Sequence, residues 1–243
     1  SANPQYSLWK SILLNILPGV LVTLGFLLFQ TFLVPRGWPP LMTFLLAILL
    51  VDLPILWGIM LYNGWQLNGC LSLDGVVLYR EHVPWKKFFI YFIAAFSATY
   101  ILIVLTTPIN SFLAGGIFSG LPEWIFLEEP SQYQAYAQNV ILAVFVFQLV
   151  LTGVVLPWTE ELYFRGFLLP RISRYGFWAP LIGGLLFAGY HIWQPFGFAS
   201  VFLLGTLLGY VVWWQRDIRL GISLHVVANV IARLGFLFAA LSM

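Results

Sequence analysis

The residues of this chain that could do chemistry gather in its last third, as Glu160-Glu161-x-x-x-Arg165, Phe187-x-x-x-His191 and His225-x-x-x-Asn229. Two carboxylates, an arginine, two histidines and an asparagine are the parts of a hydrolytic site: a base for a nucleophilic water and neutral or charged donors for a developing oxyanion. Each motif falls inside or at the edge of a stretch apolar enough to cross a membrane, where an ionisable group is expensive and needs a reason to be present. Positions four apart share a helix face. Glu161 therefore pairs with Arg165, and His225 with Asn229. Glu160 points about 100° away from Glu161, so the two carboxylates are expected to do different jobs, one facing the interior and the other holding Arg165. Two Glu and two His could also ligate zinc, but HExxH is absent and asparagine is not a usual zinc ligand; the expectation is no metal and no cofactor.

The elements that carry these residues are membrane helices. The chain has 243 residues, of which 61% are hydrophobic and 8% charged, against about 25% charged in soluble domains. This composition implies an all-α polytopic bundle in a lipid bilayer. Seven spans are expected, at about 12–34, 41–62, 88–108, 139–158, 177–193, 198–215 and 220–241, each near the ~20 apolar residues that a crossing needs. The uncharged, Gly-rich run 108–122 could add an eighth. From Tyr175 to Gln215 there is no Asp, Glu, Lys or Arg, and Gln194-Pro195-Phe196-Gly197 reads as the turn between two of these helices. Pro157 is placed to kink the fourth span and free a carbonyl just before the glutamate pair. No internal repeat or separate soluble domain is visible, so residues 1–243 read as one domain with a catalytic core at about 139–241. The first apolar run is long enough to span and shows no cleavage pattern, so no cleavable signal peptide is expected.

Charge sets the expected orientation. With the N-terminus in the cytoplasm, the inner side receives Lys10, Arg80, Lys86, Lys87, Arg171, Arg174, Arg216 and Arg219, and the outer side Arg36 alone. The loop 109–138, with Glu123, Glu128 and Glu129 and no Lys or Arg, then lies outside. This follows the positive-inside rule. The polar cavity is expected to open to the cytoplasm. The net charge of +2 is too small to imply nucleic acid, and the basic residues are spread over loops rather than gathered on one stripe, so no nucleic-acid partner is expected. Cys70 is the only cysteine, so neither an internal disulfide nor a CxxC metal site can form. His82 reads as a surface residue. Gly205-x-x-x-Gly209 lets another helix approach closely. Two further charges fall near mid-membrane: Asp52, and Arg233 one turn beyond Asn229. Asp52 or Glu161 is expected to neutralise Arg233, since a lone charge there is costly.

The ordered set of three motifs resembles the CPBP family, which comprises CAAX prenyl endopeptidases, bacteriocin-processing enzymes and Abi proteins. The resemblance covers about 155–233; residues 1–135 match only as hydrophobic spans. It implies a glutamate-type intramembrane endopeptidase that needs no metal. By motif position, Glu160 and His191 would activate the water, His225 and Asn229 would hold the oxyanion, and Glu161 and Arg165 would support the site. The implied substrate is membrane-associated, either a lipidated CAAX-type C-terminus or a leader-bearing or tethered peptide. Two other classes fit the composition: a non-catalytic immunity or scaffold protein of the same family, and a transporter using the buried charges as a relay. No inverted repeat favours the transporter.

Overall fold

The computed structural model describes residues 4–127 and 129–241; Glu128 lies outside them. Nine α-helices are present among these residues and no strand is, as the composition implies. They are α1 (Leu8–Leu33), α2 (Pro40–Ala47), α3 (Leu53–Asn68), α4 (Trp85–Phe112), α5 (Gln138–Val150), α6 (Leu156–Glu160), α7 (Ala179–Tyr190), α8 (Phe198–Gln215) and α9 (Ile218–Leu241). Six helical stretches are long and apolar enough to cross a membrane: Leu8–Arg36, Pro40–Asn68, Trp85–Ile117, Gln138–Tyr190, Pro195–Gln215 and Ile218–Ala239. The fourth, of 53 residues, contains the fourth expected span and most of the fifth. At about 1.5 Å per residue it is far longer than a bilayer is thick, and it folds back on itself. The turn is at Gly176 (φ 54°, ψ −127°), inside a tightly wound stretch, Leu169–Trp178. Phe164 on the descending arm consequently meets Phe187 and Tyr190 on the returning arm, both at 4.9 Å between ring centroids.

Prolines set the local winding. A proline cannot donate to the carbonyl four residues back, so the preceding turn must find other partners. Widened π-helical turns occupy Ile48–Asp52, before Pro54, and Leu151–Val155, before Pro157. A third, Glu161–Leu168, begins on the second glutamate of the pair. Such bulges rotate the side chains that follow them relative to a regular helix. Here they fall beside Asp52 and on either side of Glu160.

The loops sort to two ends. At one end, Tyr6 N–H donates to the Arg171 carbonyl (2.7 Å), Arg80 bridges backbone to backbone with Asp217, Arg171 donates to the Val76 carbonyl (2.9 Å), and Arg219 reaches the Val83 carbonyl (3.2 Å). This basic rim gathers the residues that the charge asymmetry assigned to one side. At the other end, Phe126 stacks on Phe196 (4.7 Å), and Tyr133 packs on Phe145 (5.3 Å) and on Phe236 near the far end of α9 (6.1 Å). Gly205 and Gly209 are used within the chain: a Cβ on Gly209 would lie 3.3–3.5 Å from Pro180, and one on Gly205 only 2.9 Å from Phe187.

Candidate active site

The three motifs converge. Glu160 closes α6, His191 follows α7, and His225 and Asn229 sit on α9. Glu160 Oε1 lies 3.9 Å from His191 Nε2, and Glu160 Oε2 lies 3.7 Å from His225 Nε2. These separations are too long for direct hydrogen bonds, yet a water oxygen off the line of centres can sit about 2.8 Å from all three groups. Glu160 is buried, and its Oε1 has no hydrogen-bond partner among the described residues.

Glu161 is occupied quite differently. Its Oε1 takes the Arg165 guanidinium at 2.9 Å and His225 Nδ1 at 2.8 Å. Arg165 also donates to the Gly205 carbonyl (3.1 Å) and lies over the Phe187 ring, 4.1 Å from its centroid. Thus the pair splits as the 100° offset requires: Glu161 is a structural anion, and Glu160 is presented to the cavity. Two glycines permit this packing. A Cβ on Gly221 would fall 2.5 Å from Glu161 Oε2, so only glycine lets α9 come close enough, one turn before His225, for the imidazole to reach Glu161. Gly205 plays the same part for α8 against Arg165 and Phe187.

Backbone carbonyls orient the remaining groups. His191 Nδ1 is 2.8 Å from the Phe187 carbonyl. A carbonyl only accepts, so Nδ1 carries the proton and Nε2, turned toward Glu160, keeps its lone pair when the ring is neutral. Asn229 Nδ2 donates to the Thr152 carbonyl at 3.1 Å, which spends one amide proton and leaves the other. Glu160, His191, His225 and Asn229 all line one cavity of about 450 Å³. Among the described residues, no group of three or more His, Cys, Asp or Glu side chains is placed to hold a metal ion.

Asp52 and Arg233 are not brought together. Asp52 is fully buried, and its Oδ2 accepts from the Tyr190 hydroxyl; the Tyr190 ring in turn packs edge-on against the His191 ring, 4.9 Å between centroids. Arg233 lines the cavity beyond Asn229, and none of the ion pairs among the described residues joins it to Asp52 or Glu161. Tyr190, which connects Asp52 to the site, went unnoticed in the sequence, because a tyrosine in an apolar run reads as an interface aromatic.

The cavity's direction departs from expectation. Its far end is lined by Ile125, Phe126, Glu129, Gln194 and Phe196, and no basic-rim residue lines it. The cavity therefore runs toward the end opposite the basic rim. A cytoplasmic rim and a cytoplasmic cavity were both expected, whereas the lining draws on loop residues of the end opposite the rim.

This all-helical, multi-pass bundle is an integral membrane protein that gathers two buried carboxylates, two half-buried imidazoles and a half-buried carboxamide into one cluster. Residues 142–231 match the family described as type II CAAX prenyl endopeptidase Rce1-like. No curated protein and no solved structure matches the chain.

Proposed function

We propose that the chain is a metal-independent, glutamate-type intramembrane endopeptidase acting on the C-terminal segment of a lipidated or membrane-tethered substrate, with residues 139–241 as its catalytic core. The observation that carries this reading is the Glu160 carboxylate facing the Nε2 atoms of His191 and His225, at 3.9 and 3.7 Å, across one cavity. A water between them gives one proton to Glu160, donates its second hydrogen bond to His191 Nε2, and attacks the scissile carbonyl carbon with its freed lone pair. The C=O π bond opens to a tetrahedral oxyanion. Asn229 donates its second amide proton to that oxygen; His225 donates from Nε2 when both ring nitrogens are protonated, with Glu161 accepting at Nδ1. Glu160 then passes its proton to the amide nitrogen as the C–N bond breaks, so the amine leaves neutral, and the new carboxylic acid gives its remaining proton to His191 Nε2 and departs as the carboxylate.

The apolar wall of Ile103, Val201, Leu204 and Leu208 suits a lipid chain beside the polar groups. The test is mass spectrometry of S-farnesyl peptides incubated with wild type and Glu160→Gln, with and without exhaustive chelation. Cleavage by wild type that survives chelation and disappears in the variant is expected. Retention of most activity by Glu160→Gln removes the proposed base; loss on chelation removes the metal-free mechanism.

For orientation we adopt the charge asymmetry, with the N-terminus and basic rim in the cytoplasm and the cavity mouth on the opposite face. In a Cys70→Ser background, a cysteine replacing exposed Ser131 at the mouth should react with an impermeant thiol reagent from outside intact cells. Labelling only after permeabilisation reverses the orientation.

A further inference from the structure

The family match covers residues 142–231, yet two contacts made by earlier parts of the chain converge on one residue beside the cavity. Tyr190 ends α7, and the backbone of His191 has already left the helix (φ −79°, ψ 46°). Helix ends fray unless groups outside the helix hold them. Here the hold comes from the N-terminal part of the chain. The Tyr190 hydroxyl donates to Asp52 Oδ2. The Tyr190 backbone presses on α1 at Gly19, where a Cβ would lie 2.9 Å from Tyr190 Cα and closer still to the Tyr190 carbonyl. Side chain and main chain of one residue are thus fixed by two separate elements, the widened turn before α3 and the middle of α1.

His191 depends on this residue. Its ring packs against Phe187, Tyr190 and Trp193, at 4.6, 4.9 and 4.8 Å between centroids, and its Nδ1 donates to the Phe187 carbonyl. Phe187 and Tyr190 ride on α7 with it, and the Tyr190 hydroxyl ties that group to the second membrane stretch. A small rotation of the end of α7 would carry His191 Nε2 away from Glu160 Oε1, which lies 3.9 Å off. A misplacement of about 1 Å can cost about 10²-fold in rate. Asp52 itself is expensive. It is wholly buried within a membrane-length stretch, and its Oδ1 has no hydrogen-bond partner among the described residues. An apolar residue would pack there at lower cost. The π-helical turn Ile48–Asp52 ends on it, so the bulge sets the direction of its side chain.

Resting on the endopeptidase reading above, we propose that Asp52 and Tyr190 are a positioning pair: Asp52 holds the Tyr190 hydroxyl so that the end of α7 keeps His191 Nε2 turned to the water site. Neither residue lines the cavity, so both act through His191 and not on the substrate. The N-terminal helices, which carry none of the three motifs, then supply a part of the hydrolytic site that the matched stretch lacks.

The experiment uses the full chain in detergent, an S-farnesyl peptide as substrate, and isotope-labelled histidine to observe the imidazoles by NMR. The His191 signals are those that vanish in His191→Ala. Tyr190→Phe keeps the ring and removes the tether. It should lower kcat about 10- to 100-fold with KM within about twofold of wild type, and broaden or abolish the His191 Nδ1–H signal. The unchanged KM reports an intact fold. Asp52→Leu should do the same, and the double variant no more than either single, because all three remove one contact. Asp52→Asn keeps an acceptor for the hydroxyl and should retain the signal and most of kcat. A carboxylate that exchanges protons in the reaction would lose as much to Asn as to Leu, and that result overturns the proposal. So does a His191 signal that Tyr190→Phe leaves unchanged. If wild type cleaves no peptide while the His191 signal still responds to Tyr190→Phe and persists in Asp52→Asn, the endopeptidase reading falls and the tether stands.

Discussion

Two buried carboxylates, Asp217 at the basic rim and Glu160 in the cavity, are treated in opposite ways. Both are almost wholly shielded from solvent, at 1% and 2% exposure. Asp217 is saturated: it accepts from Val83 N–H (3.0 Å), from Arg219 N–H (3.0 Å) and from the Arg219 guanidinium (2.6–3.2 Å). Burial alone would raise its pKa, but the Arg219 and backbone hydrogen bonds outweigh this and hold the carboxyl below the usual carboxylate range. Glu160 faces two imidazoles beyond hydrogen-bond reach and leaves one oxygen unmatched among the described residues. A saturated carboxylate fixes structure; a buried one with an open acceptor is available for proton transfer. The first joins α9 to the loop before α4, and the second is where chemistry is expected.

Substitutions can break this contrast, starting with the largest effect. Glu160→Gln should abolish cleavage, a loss of at least about 10³-fold, while thermal unfolding stays at or above the wild-type temperature. Unfolding at a much lower temperature would make Glu160 structural, like Asp217. Glu161→Gln tests the intermediate case. It leaves Arg165 buried without its anion and should cost about 3–5 kcal/mol of stability, seen as a lower melting temperature in detergent. Asn229→Ala should lower kcat by about 10²–10³-fold with the fold intact; an unchanged kcat would remove it from the oxyanion contact. Asp217→Asn should leave cleavage at neutral pH nearly untouched and cost about 1–3 kcal/mol.

The Asp217 contribution also has a pH signature. Because its folded-state pKa is depressed, the native state binds fewer protons than the unfolded chain in the acid range. Its stabilisation is therefore present above the ordinary carboxylate pKa near 4 and is lost as pH falls through the lower, folded value. Melting temperatures measured from neutral pH down through that range should fall less steeply for Asp217→Asn than for wild type.

Much of the site was legible because helix geometry is periodic. The i,i+4 spacing paired Glu161 with Arg165, and the 100° step separated Glu160 from it; both features appear in the structure. The spans were legible because bilayer thickness sets a length for apolar runs. The exact place where the 53-residue run folds back between its two expected spans was not, since it depends on Gly176 taking a positive φ that no periodicity announces. Asp52 was visible as a costly charge, but its partner was not: Tyr190 reaches it across 138 residues of sequence. Gly205 read only as a helix-packing position, and nothing in the sequence set Gly221 apart; the neighbouring Phe187, Arg165 and Glu161 atoms give both their role.

The amino-acid order by itself determined the helical class, the membrane environment and the residue types available for hydrolysis, because those follow from local composition and from spacing along one helix. Only the tertiary structure decided which carboxylate is saturated, which end the cavity faces and what Asp52 meets. Those properties depend on how separate helices pack, through contacts between residues far apart in the chain, and no single helix encodes them.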